Sequence, residues 1–202
     1  MKQYRINEIF YSLQGEGYWT GRPMVFLRFS GCNLRCPFCD TDFSSVSLMT
    51  GEEIVAGLKA ADSPSDPCRT VCITGGEPSL QVDRELVDLL HAEGFCIHIE
   101  TNGTRLLPEG IDWVTCSPKE DWQCGGRNVL QKADELKVVY EGQDVEKWIP
   151  MFPGTGNLFL QPCAEEGDEA RTRENTRAAI RYVLSHPHWR LSLQTHKILD
   201  IK

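Results

Sequence analysis

The chain of 202 residues has no apolar run long enough to cross a membrane, and its first residues, MKQYRINEIFYSLQGEG, contain no apolar segment typical of a signal peptide. We therefore expect a cytoplasmic protein with no membrane partner. Positive charge is also scarce: the chain has 21 Lys and Arg residues against 29 Asp and Glu residues, which gives a net charge of −8. So acidic a chain holds a phosphate backbone poorly, and we expect no nucleic-acid partner. Its length and lack of repeats predict a single domain, residues 1–202.

Cysteine, by contrast, is abundant, with nine residues. In a reducing compartment such residues are metal ligands or small buried hydrophobes rather than disulfides. The segment CNLRCPFC places Cys32, Cys36 and Cys39, called here the loop cysteines, in a C-x3-C-x2-C pattern. Three thiolates are too few for a closed zinc site or a fully ligated iron–sulfur cubane, each of which needs four. A 4Fe–4S cluster held by three would leave one iron open for an exchangeable ligand.

The other cysteines leave one alternative open, a zinc-binding interaction protein whose fourth ligand comes from elsewhere in the chain. The candidates for that ligand are Cys68, Cys72 and Cys124. Apolar strand patterns around three cysteines favour buried free thiols instead: Cys72, Cys96 and Cys116. Cys124 and Cys163 are expected in loops near the carboxyl edge of the sheet.

Short β-rich runs alternate with helical patterns along the chain. Strands are predicted over residues 4–12, 24–29, 70–74, 95–100, 113–116, 135–140, 157–161 and 190–194. Helices are predicted over residues 50–61, 83–93, 144–152 and 172–185, the first opening with a capping box formed by Thr50 and Glu53. This alternation predicts an α/β fold, a barrel-like, mostly parallel sheet that lacks some crossover helices.

Polar residues follow several of these strands at the point where each strand ends. Glu77, Glu100, Lys119 and His196 all occupy such positions. Because the carboxyl ends of parallel strands share one edge of a sheet, we expect these side chains to converge on an active site there.

Two of these segments resemble motifs of one superfamily. The loop cysteines, with Phe38 before the last of them, are similar to the signature of radical S-adenosylmethionine enzymes, and Gly75-Gly76-Glu77-Pro78 is similar to the glycine-rich cofactor motif of the same enzymes. Further segments resemble the 7-carboxy-7-deazaguanine synthase family: NEIFYSLQGEG (7–17), GRPMVFLRFSGCNLRC (21–36), FCDTDF (38–43), ETNG (100–103), SPK (117–119), DELK (134–137) and QTHKILDIK (194–202).

This resemblance implies a modified, incomplete (β/α) barrel and a homodimer. It also implies a lyase that uses a 4Fe–4S cluster, S-adenosylmethionine and Mg2+, with an electron donor such as flavodoxin or ferredoxin. The implied reaction is a radical ring contraction of 6-carboxy-5,6,7,8-tetrahydropterin to 7-carboxy-7-deazaguanine, with loss of ammonia, on the route to queuosine. A glycyl-radical-activating enzyme shares the cysteine spacing and stays an alternative; it would act on a protein loop rather than a heterocycle.

The resemblance also implies the residues of the site. Cluster ligands are the loop cysteines, and Thr41 is the implied Mg2+ ligand. The implied cofactor contacts are Phe38, Cys39, Asp40, Gly76, Glu77, Glu100, Ser117, Pro118, Lys119, Gln161, Pro162, Cys163 and Ala164. The implied substrate contacts are Leu13, Gln14, Gly15, Glu16, Arg28, Thr74, His196 and Lys202.

These residue types suit the implied substrate. The amino-pyrimidinone edge of a pterin presents N–H donors, for which the carboxylate of Glu16 and the amide of Gln14 are acceptors. Arg28 offers a two-pronged partner for a carboxylate, and a hydroxyl such as Thr41 suits Mg2+. The family pattern is broken at Cys163-Ala164, where only backbone contacts are expected, and at Lys202. We expect the tail from His196 to Lys202 to fold back over the pocket with the Lys202 side chain in solvent.

Overall fold

The computed structural model describes residues 2–42, 45–62, 65–122 and 125–202, so Phe43 and Cys124 lie outside the described residues. Nine strands form one sheet in the order β3-β1-β2-β4-β5-β6-β7-β8-β9. Their bounds are β1 Tyr4–Leu13, β2 Pro23–Phe29, β3 Ser47–Met49, β4 Thr70–Gly75, β5 Cys96–Thr101, β6 Trp113–Cys116, β7 Glu135–Tyr140, β8 Asn157–Pro162 and β9 Trp189–Leu191. The α-helices are α1 Gly51–Ala61, α2 Arg84–Ala92, α3 Glu169–Ser185 and α4 Thr195–Leu199, and two 3-10 helices span Pro78–Leu80 and Glu146–Met151.

Strand direction divides the sheet into two parts. β1 runs antiparallel to both β2 and β3, whereas every pair from β2 to β9 is parallel. Within the described residues the sheet is open, with β3 and β9 as its edges. The connections from β5 to β6 and from β6 to β7 contain no helix among their described residues. The predicted fold class, a mostly parallel, incomplete barrel with missing crossover helices, is confirmed.

Alternation along the strands separates a packed outer face from a polar inner face. On β2, Val25, Leu27 and Phe29 belong to the core formed with α1 and α2, while the residues between them face inward. On β7, Leu136 and Val138 belong to a second core that also contains residues of α3 and of Glu146–Met151. The helices therefore cover one face of the sheet, and the functional side chains alternate onto the other.

The structure corrects three element boundaries. The α-helix predicted over 144–152 is the 3-10 helix Glu146–Met151, which contains Pro150, a residue with no amide hydrogen to donate. The strand predicted over 190–194 stops at Leu191, because the chain turns and the Thr195 amide donates to the Gly15 carbonyl at 3.0 Å. The predicted helix 172–185 begins earlier, at Glu169, where the Asp168 side chain caps it by accepting from the Arg171 amide at 2.9 Å.

The capping box at the start of α1 is confirmed. The Glu53 amide donates to Thr50 Oγ1 at 3.3 Å, and the Thr50 amide donates to Glu53 Oε2 at 2.7 Å. No helix in the described part of the chain combines the length and apolar character that crossing a bilayer would need.

Candidate active site

A cavity of about 600 Å3 lies on the inner face of the sheet and reaches the carboxyl ends of the parallel strands. Most of the site residues inferred from the sequence line it: Leu13, Gln14, Gly15, Glu16, Arg28, Cys32, Cys36, Phe38, Cys39, Asp40, Thr41, Thr74, Gly76, Glu100, Ser117, Lys119, Gln161, Pro162, Cys163, Ala164, His196 and Lys202. Glu77 and Pro118 are not among the lining residues. The structure thus brings the two predicted ligand sets into one space, while the role of each residue stays a prediction.

The loop cysteines follow β2 and line the mouth of this cavity, with Cys39 exposed and the other two half-buried. Among the described residues, the only group of three or more ligand side chains with all ligand atoms within 4.8 Å is Glu141, Cys163 and Glu165. The three loop sulfurs are therefore spread more widely than that. A single tetrahedral zinc would hold thiolates about 3.8 Å apart, given Zn–S bonds of about 2.3 Å. The three-thiol donor set fits an iron–sulfur cluster with one open iron better than a closed zinc site, which needs four ligands.

Backbone contacts join the cysteine loop to the glycine-rich turn after β4. The Gly76 amide donates to the Phe29 carbonyl at 3.1 Å, and the Glu77 amide donates to the Gly31 carbonyl at 2.9 Å. A Cβ atom at Gly76 would lie 2.0 Å from the Gly31 carbonyl oxygen, so a side chain there would force the two turns apart. The two sequence motifs are thus one packed unit.

The carboxylate of Glu77 lies inside the wall of the cavity rather than on its surface. It is fully buried, and Oε1 accepts from the Ser79 amide at 3.0 Å and from Thr101 Oγ1 at 2.7 Å. Oε2 accepts from the Asn102 amide at 2.7 Å. Glu77 therefore fixes the turn after β5, and its role as a cofactor contact stays a prediction.

The segment from Gln14 to Gly17 reaches the cavity from the opposite end. Because β1 is antiparallel to its neighbours, this segment follows the strand at the amino ends of the parallel strands. Gln14 Nε2 donates to Glu100 Oε1 at 3.3 Å, and Gln194 Nε2 donates to Glu16 Oε1 at 3.0 Å. These residues form a floor beneath the cavity, at the end opposite the shared carboxyl edge of the parallel strands.

The ring of His196 packs directly on this floor. A Cβ atom at Gly15 would lie 2.1 Å from His196 Nδ1, so glycine at this position makes room for the ring. Burial lowers the pKa of His196 below its ordinary value, despite the opposing effect of Glu16. The imidazole is therefore neutral at physiological pH.

Sequence reasoning missed Lys137, which sits at the centre of the floor. Its buried ammonium forms ion pairs with Glu16 Oε2 at 2.8 Å and with Glu100 Oε2 at 2.9 Å. Lys137 alternates with apolar residues in the strand ELKVVY, and all six of these residues are buried. A lysine in a wholly buried strand is a signal that could have found it, since such a charge needs a partner.

Burial and the ammonium act against each other on the nearby carboxylates. Burial alone would raise the pKa of Glu16, but the charge and hydrogen bond of Lys137, with help from Gln194, lower it to about 2. Burial raises the pKa of Glu100, only partly opposed by Lys137. Burial also raises the pKa of Glu135 to about 7, and its Oε1 has no hydrogen-bond partner among the described residues. Glu16 is thus the carboxylate held most firmly in its charged form.

Arg28 and Lys202 meet on one carboxylate at the side of the cavity. Arg28 Nε lies 3.1 Å from Glu8 Oε1, and Lys202 Nζ lies 2.8 Å from Glu8 Oε2. Ser12 Oγ donates to the Lys202 carbonyl at 2.5 Å. The tail folds back along the cavity as predicted, and the Lys202 side chain stays largely exposed while its amine pairs with Glu8.

Thr41 lines the cavity close to a second contact between the cysteine loop and the tail. Asp40, its neighbour in the chain, pairs with Lys197 of α4 at 2.5 Å. The proposed Mg2+ ligand therefore lies where the cysteine loop approaches the tail.

The remaining cysteines divide as follows. Cys72 and Cys116 are buried as predicted, whereas Cys96 is exposed and the prediction of a core thiol is wrong. Cys96 is the first residue of β5 and alternates onto the face of the sheet opposite the helix-covered Ile97 and Ile99. Cys163 is buried and lines the cavity, in the loop expected for it.

Comparison with known proteins agrees with this geometry. Residues 27–119 match the model of the radical SAM superfamily. The chain is 52% identical to 7-carboxy-7-deazaguanine synthase of Bacteroides thetaiotaomicron over 98% of both chains. It is 46% identical to the synthase of Nitratidesulfovibrio vulgaris, over 98% of this chain and 99% of that one. The crystal structure of QueE from Escherichia coli superposes with a TM-score of 0.75 at 32% identity, over 95% of this chain and 93% of that one.

An open parallel sheet carrying three loop cysteines next to a glycine-rich turn, together with the superfamily match, defines a radical SAM protein. Within that superfamily, full-length similarity at this level of identity is decisive. The chain belongs to the 7-carboxy-7-deazaguanine synthase family. Membership favours neither of the two alternatives, a glycyl-radical-activating enzyme or a zinc-binding interaction protein.

Proposed function

We propose that this chain converts 6-carboxy-5,6,7,8-tetrahydropterin to 7-carboxy-7-deazaguanine with release of ammonia, as a radical SAM lyase on the route to queuosine. The observation that carries the proposal is that one cavity holds the loop cysteines, the Gln14–Glu16 floor and Arg28. The full-length similarity of the chain to enzymes named 7-carboxy-7-deazaguanine synthase supports the same activity.

The cofactor end of the cavity is its mouth. The loop cysteines would hold the 4Fe–4S cluster, and Gly76, Ser117, Lys119 and the backbone of 161–164 would contact S-adenosylmethionine. When bound, these groups would supply the one-electron, radical chemistry needed to activate a C–H bond of the substrate. Lys119 Nζ donates to the Ser117 carbonyl at 2.9 Å, which holds this cation at the cavity wall.

The floor would recognise the amino-pyrimidinone edge of the pterin. Glu16 is ionised and therefore offers only acceptors, which match the N–H donors of that edge. Gln14 Oε1 already accepts from the Glu16 amide at 3.1 Å, so the Gln14 side chain is held in one orientation. A site built around fixed acceptors rejects heterocycles whose edge lacks donors.

The substrate carboxylate would lie toward Arg28 and Thr41. Arg28 uses Nε for Glu8, and no described residue accepts from its two Nη groups. Those groups suit a carboxylate. We propose Thr41 as the protein ligand of a Mg2+ ion, which would complete its coordination with the substrate carboxylate and water.

His196 would contact the ring of the pterin from the floor. Its imidazole is neutral, so one ring nitrogen can donate and the other can accept. Packing against Gly15 fixes the ring plane. The side chain can therefore bond a polar atom of the substrate without bringing a charge into the cavity.

We also propose a cytoplasmic homodimer that receives its electron from a protein donor such as flavodoxin or ferredoxin. The exposure of Cys39 supports the donor, because it leaves one edge of the cluster loop open to the surface. The homodimer follows from family resemblance, and light scattering of the purified protein tests it.

The deciding assay is anaerobic incubation with reductant, S-adenosylmethionine, Mg2+ and 6-carboxytetrahydropterin, followed by mass analysis of the product. We expect 7-carboxy-7-deazaguanine from the wild type and almost none from Glu16→Gln. Glu166→Gln, at an exposed glutamate, is the matched control and should keep full activity. Zinc without acid-labile sulfide in the purified protein, or S-adenosylmethionine cleavage with no pterin product, would contradict the proposal.

A further inference from the structure

One buried cation joins the two ends of the cavity. Lys137 Nζ bonds Glu16, which belongs to the proposed substrate subsite, and Glu100, which belongs to the proposed cofactor subsite. No assignment drawn from the sequence gives Lys137 a role, although it lines the cavity and is buried.

Further hydrogen bonds extend this link. Gln14 Nε2 donates to the other oxygen of Glu100, at 3.3 Å, and Gln194 Nε2 donates to the other oxygen of Glu16, at 3.0 Å. Each carboxylate is therefore held through both of its oxygens, and Lys137 is the member shared between them. Removing a shared member releases both sides at once.

We propose that Lys137 is a positioning residue that ties Glu16 to Glu100 and so couples the substrate subsite to the cofactor subsite. The inference rests on the proposed function for the identity of the two ligands. Lysine suits this place because its ammonium carries three donors, of which the two carboxylates use two. Without it, two half-buried carboxylates would face each other with no cation between them, an arrangement that like charges resist.

The consequence is a specific dependence on pH. In the wild type Glu16 is ionised throughout the range from pH 6 to pH 9. In Lys137→Met the effect of burial on Glu16 is no longer opposed by the ammonium, so its pKa rises toward this range. The other titratable groups that interact with Glu16 are Glu100, Glu135, Lys119, His196 and the thiol of Cys72.

The experiment measures two dissociation constants on the cluster-loaded, unreduced enzyme, in which no turnover occurs. Isothermal titration gives the Kd for 6-carboxytetrahydropterin and, separately, the Kd for S-adenosylmethionine. We expect Lys137→Met to raise the first by at least about tenfold at pH 7 and the second by at least about threefold. Lys132→Met, at an exposed lysine, is the matched control and should leave both unchanged.

The pH profile separates positioning from mere stability. The ratio of the mutant Kd to the wild-type Kd for the pterin cancels the substrate's own ionisation. It should fall as the pH rises from 6 to 9, because Glu16 regains its charge in the mutant. Unchanged Kd values for both ligands, with only a lower melting temperature, would overturn the inference, and so would a pterin ratio that is the same at every pH.

Two further measurements keep the test decisive. If Lys137→Met does not fold, Lys137→Met/Glu100→Gln removes one buried charge of each sign, and its pterin Kd is compared with that of Glu100→Gln; equal values overturn the inference. If the wild type binds S-adenosylmethionine but not the pterin, the proposed function fails. The S-adenosylmethionine Kd then decides on Lys137 alone: an increase supports the coupling and no change refutes it.

Discussion

Replacing Glu77 by glutamine tests whether this residue of the glycine-rich motif supports the cavity wall. The carboxylate accepts from two backbone amides, of Ser79 and Asn102, one at each oxygen, and from the hydroxyl of Thr101. The side-chain amide of glutamine has one acceptor oxygen, so whichever way it is turned, one of the two backbone amides, the part-buried one of Ser79 or the buried one of Asn102, faces an NH2 group. Thr101 Oγ1 cannot adapt without loss, because it already accepts from the Gly103 amide at 3.1 Å.

The expected loss of stability in Glu77→Gln follows from the one backbone amide that loses its acceptor. A buried amide left without an acceptor costs about 1–3 kcal/mol. A loss of about 2 kcal/mol lowers the melting temperature of a domain of this length by about 4–8 °C. The assay is thermal unfolding of the cluster-loaded protein under anaerobic conditions at a fixed scan rate, with Glu166→Gln, at an exposed position, as control. An unchanged melting temperature combined with a more than tenfold weaker affinity for S-adenosylmethionine would refute the structural role and make Glu77 a direct ligand.

Four other predictions address the cluster, the substrate, the pH dependence and the tail. Alanine at any one of the loop cysteines should abolish the iron–sulfur cluster, whereas Cys96→Ala should retain it; iron and sulfide analysis decides, and full occupancy without a loop cysteine would disprove the ligand assignment. Arg28→Ala should lower kcat/KM about thirtyfold, equivalent to about 2 kcal/mol of transition-state stabilisation, which is the low end for a broken charge pair because Arg28 is part-exposed. Cofactor cleavage without substrate should persist, and unchanged kinetics would contradict a role for Arg28 in the site. Burial raises the pKa of Glu135 from 4.5 to about 7, so the contribution of this residue to stability is full below pH 4.5 and is lost as the pH rises through 7. The melting temperature of Glu135→Gln should therefore rise relative to that of the wild type between pH 5 and pH 8, and the corresponding change in stability is at most about 3 kcal/mol. A constant difference in melting temperature would contradict this. Deleting residues 200–202 should raise the KM for the pterin and leave cluster content intact, and native kinetics in the truncated enzyme would place the tail outside the site.

The features that the sequence predicted correctly are those that leave a periodic or spaced pattern. The parallel strands β2, β4, β5, β7 and β8 span six or seven residues rich in apolar and β-branched side chains, long enough to recognise and close to their predicted bounds. β3 and α4 span only three and five residues, too short for either period to show. The sequence did not indicate a position for Gln14–Glu16 relative to the shared edge of the parallel strands, because the direction of β1 is decided by tertiary pairing and not by its own residues.

Contacts between residues on opposite sides of the cavity could not be predicted from the sequence either. Lys137 and Glu16 are 121 positions apart, and nothing local in either segment indicates that they meet. Glu77 was assigned correctly to its turn, but its contacts with the turn after β5 depend on the packing of two strands. Sequence motifs therefore located the site, while its internal bonding required coordinates.

The floor formed by residues 14–17 also bears on how reactive species are contained. Gly17, with a φ of +67°, brings its backbone so close to Glu135 that a Cβ atom would lie 1.9 Å from Oε1. The Gly17 amide also donates to Ser192 Oγ at 2.9 Å, and the Tyr18 amide donates to Glu135 Oε2 at 3.1 Å. These contacts pack the backbone of the floor closely against β7 and the residue after β9, which would limit the access of solvent from this side to a reactive species held in the cavity.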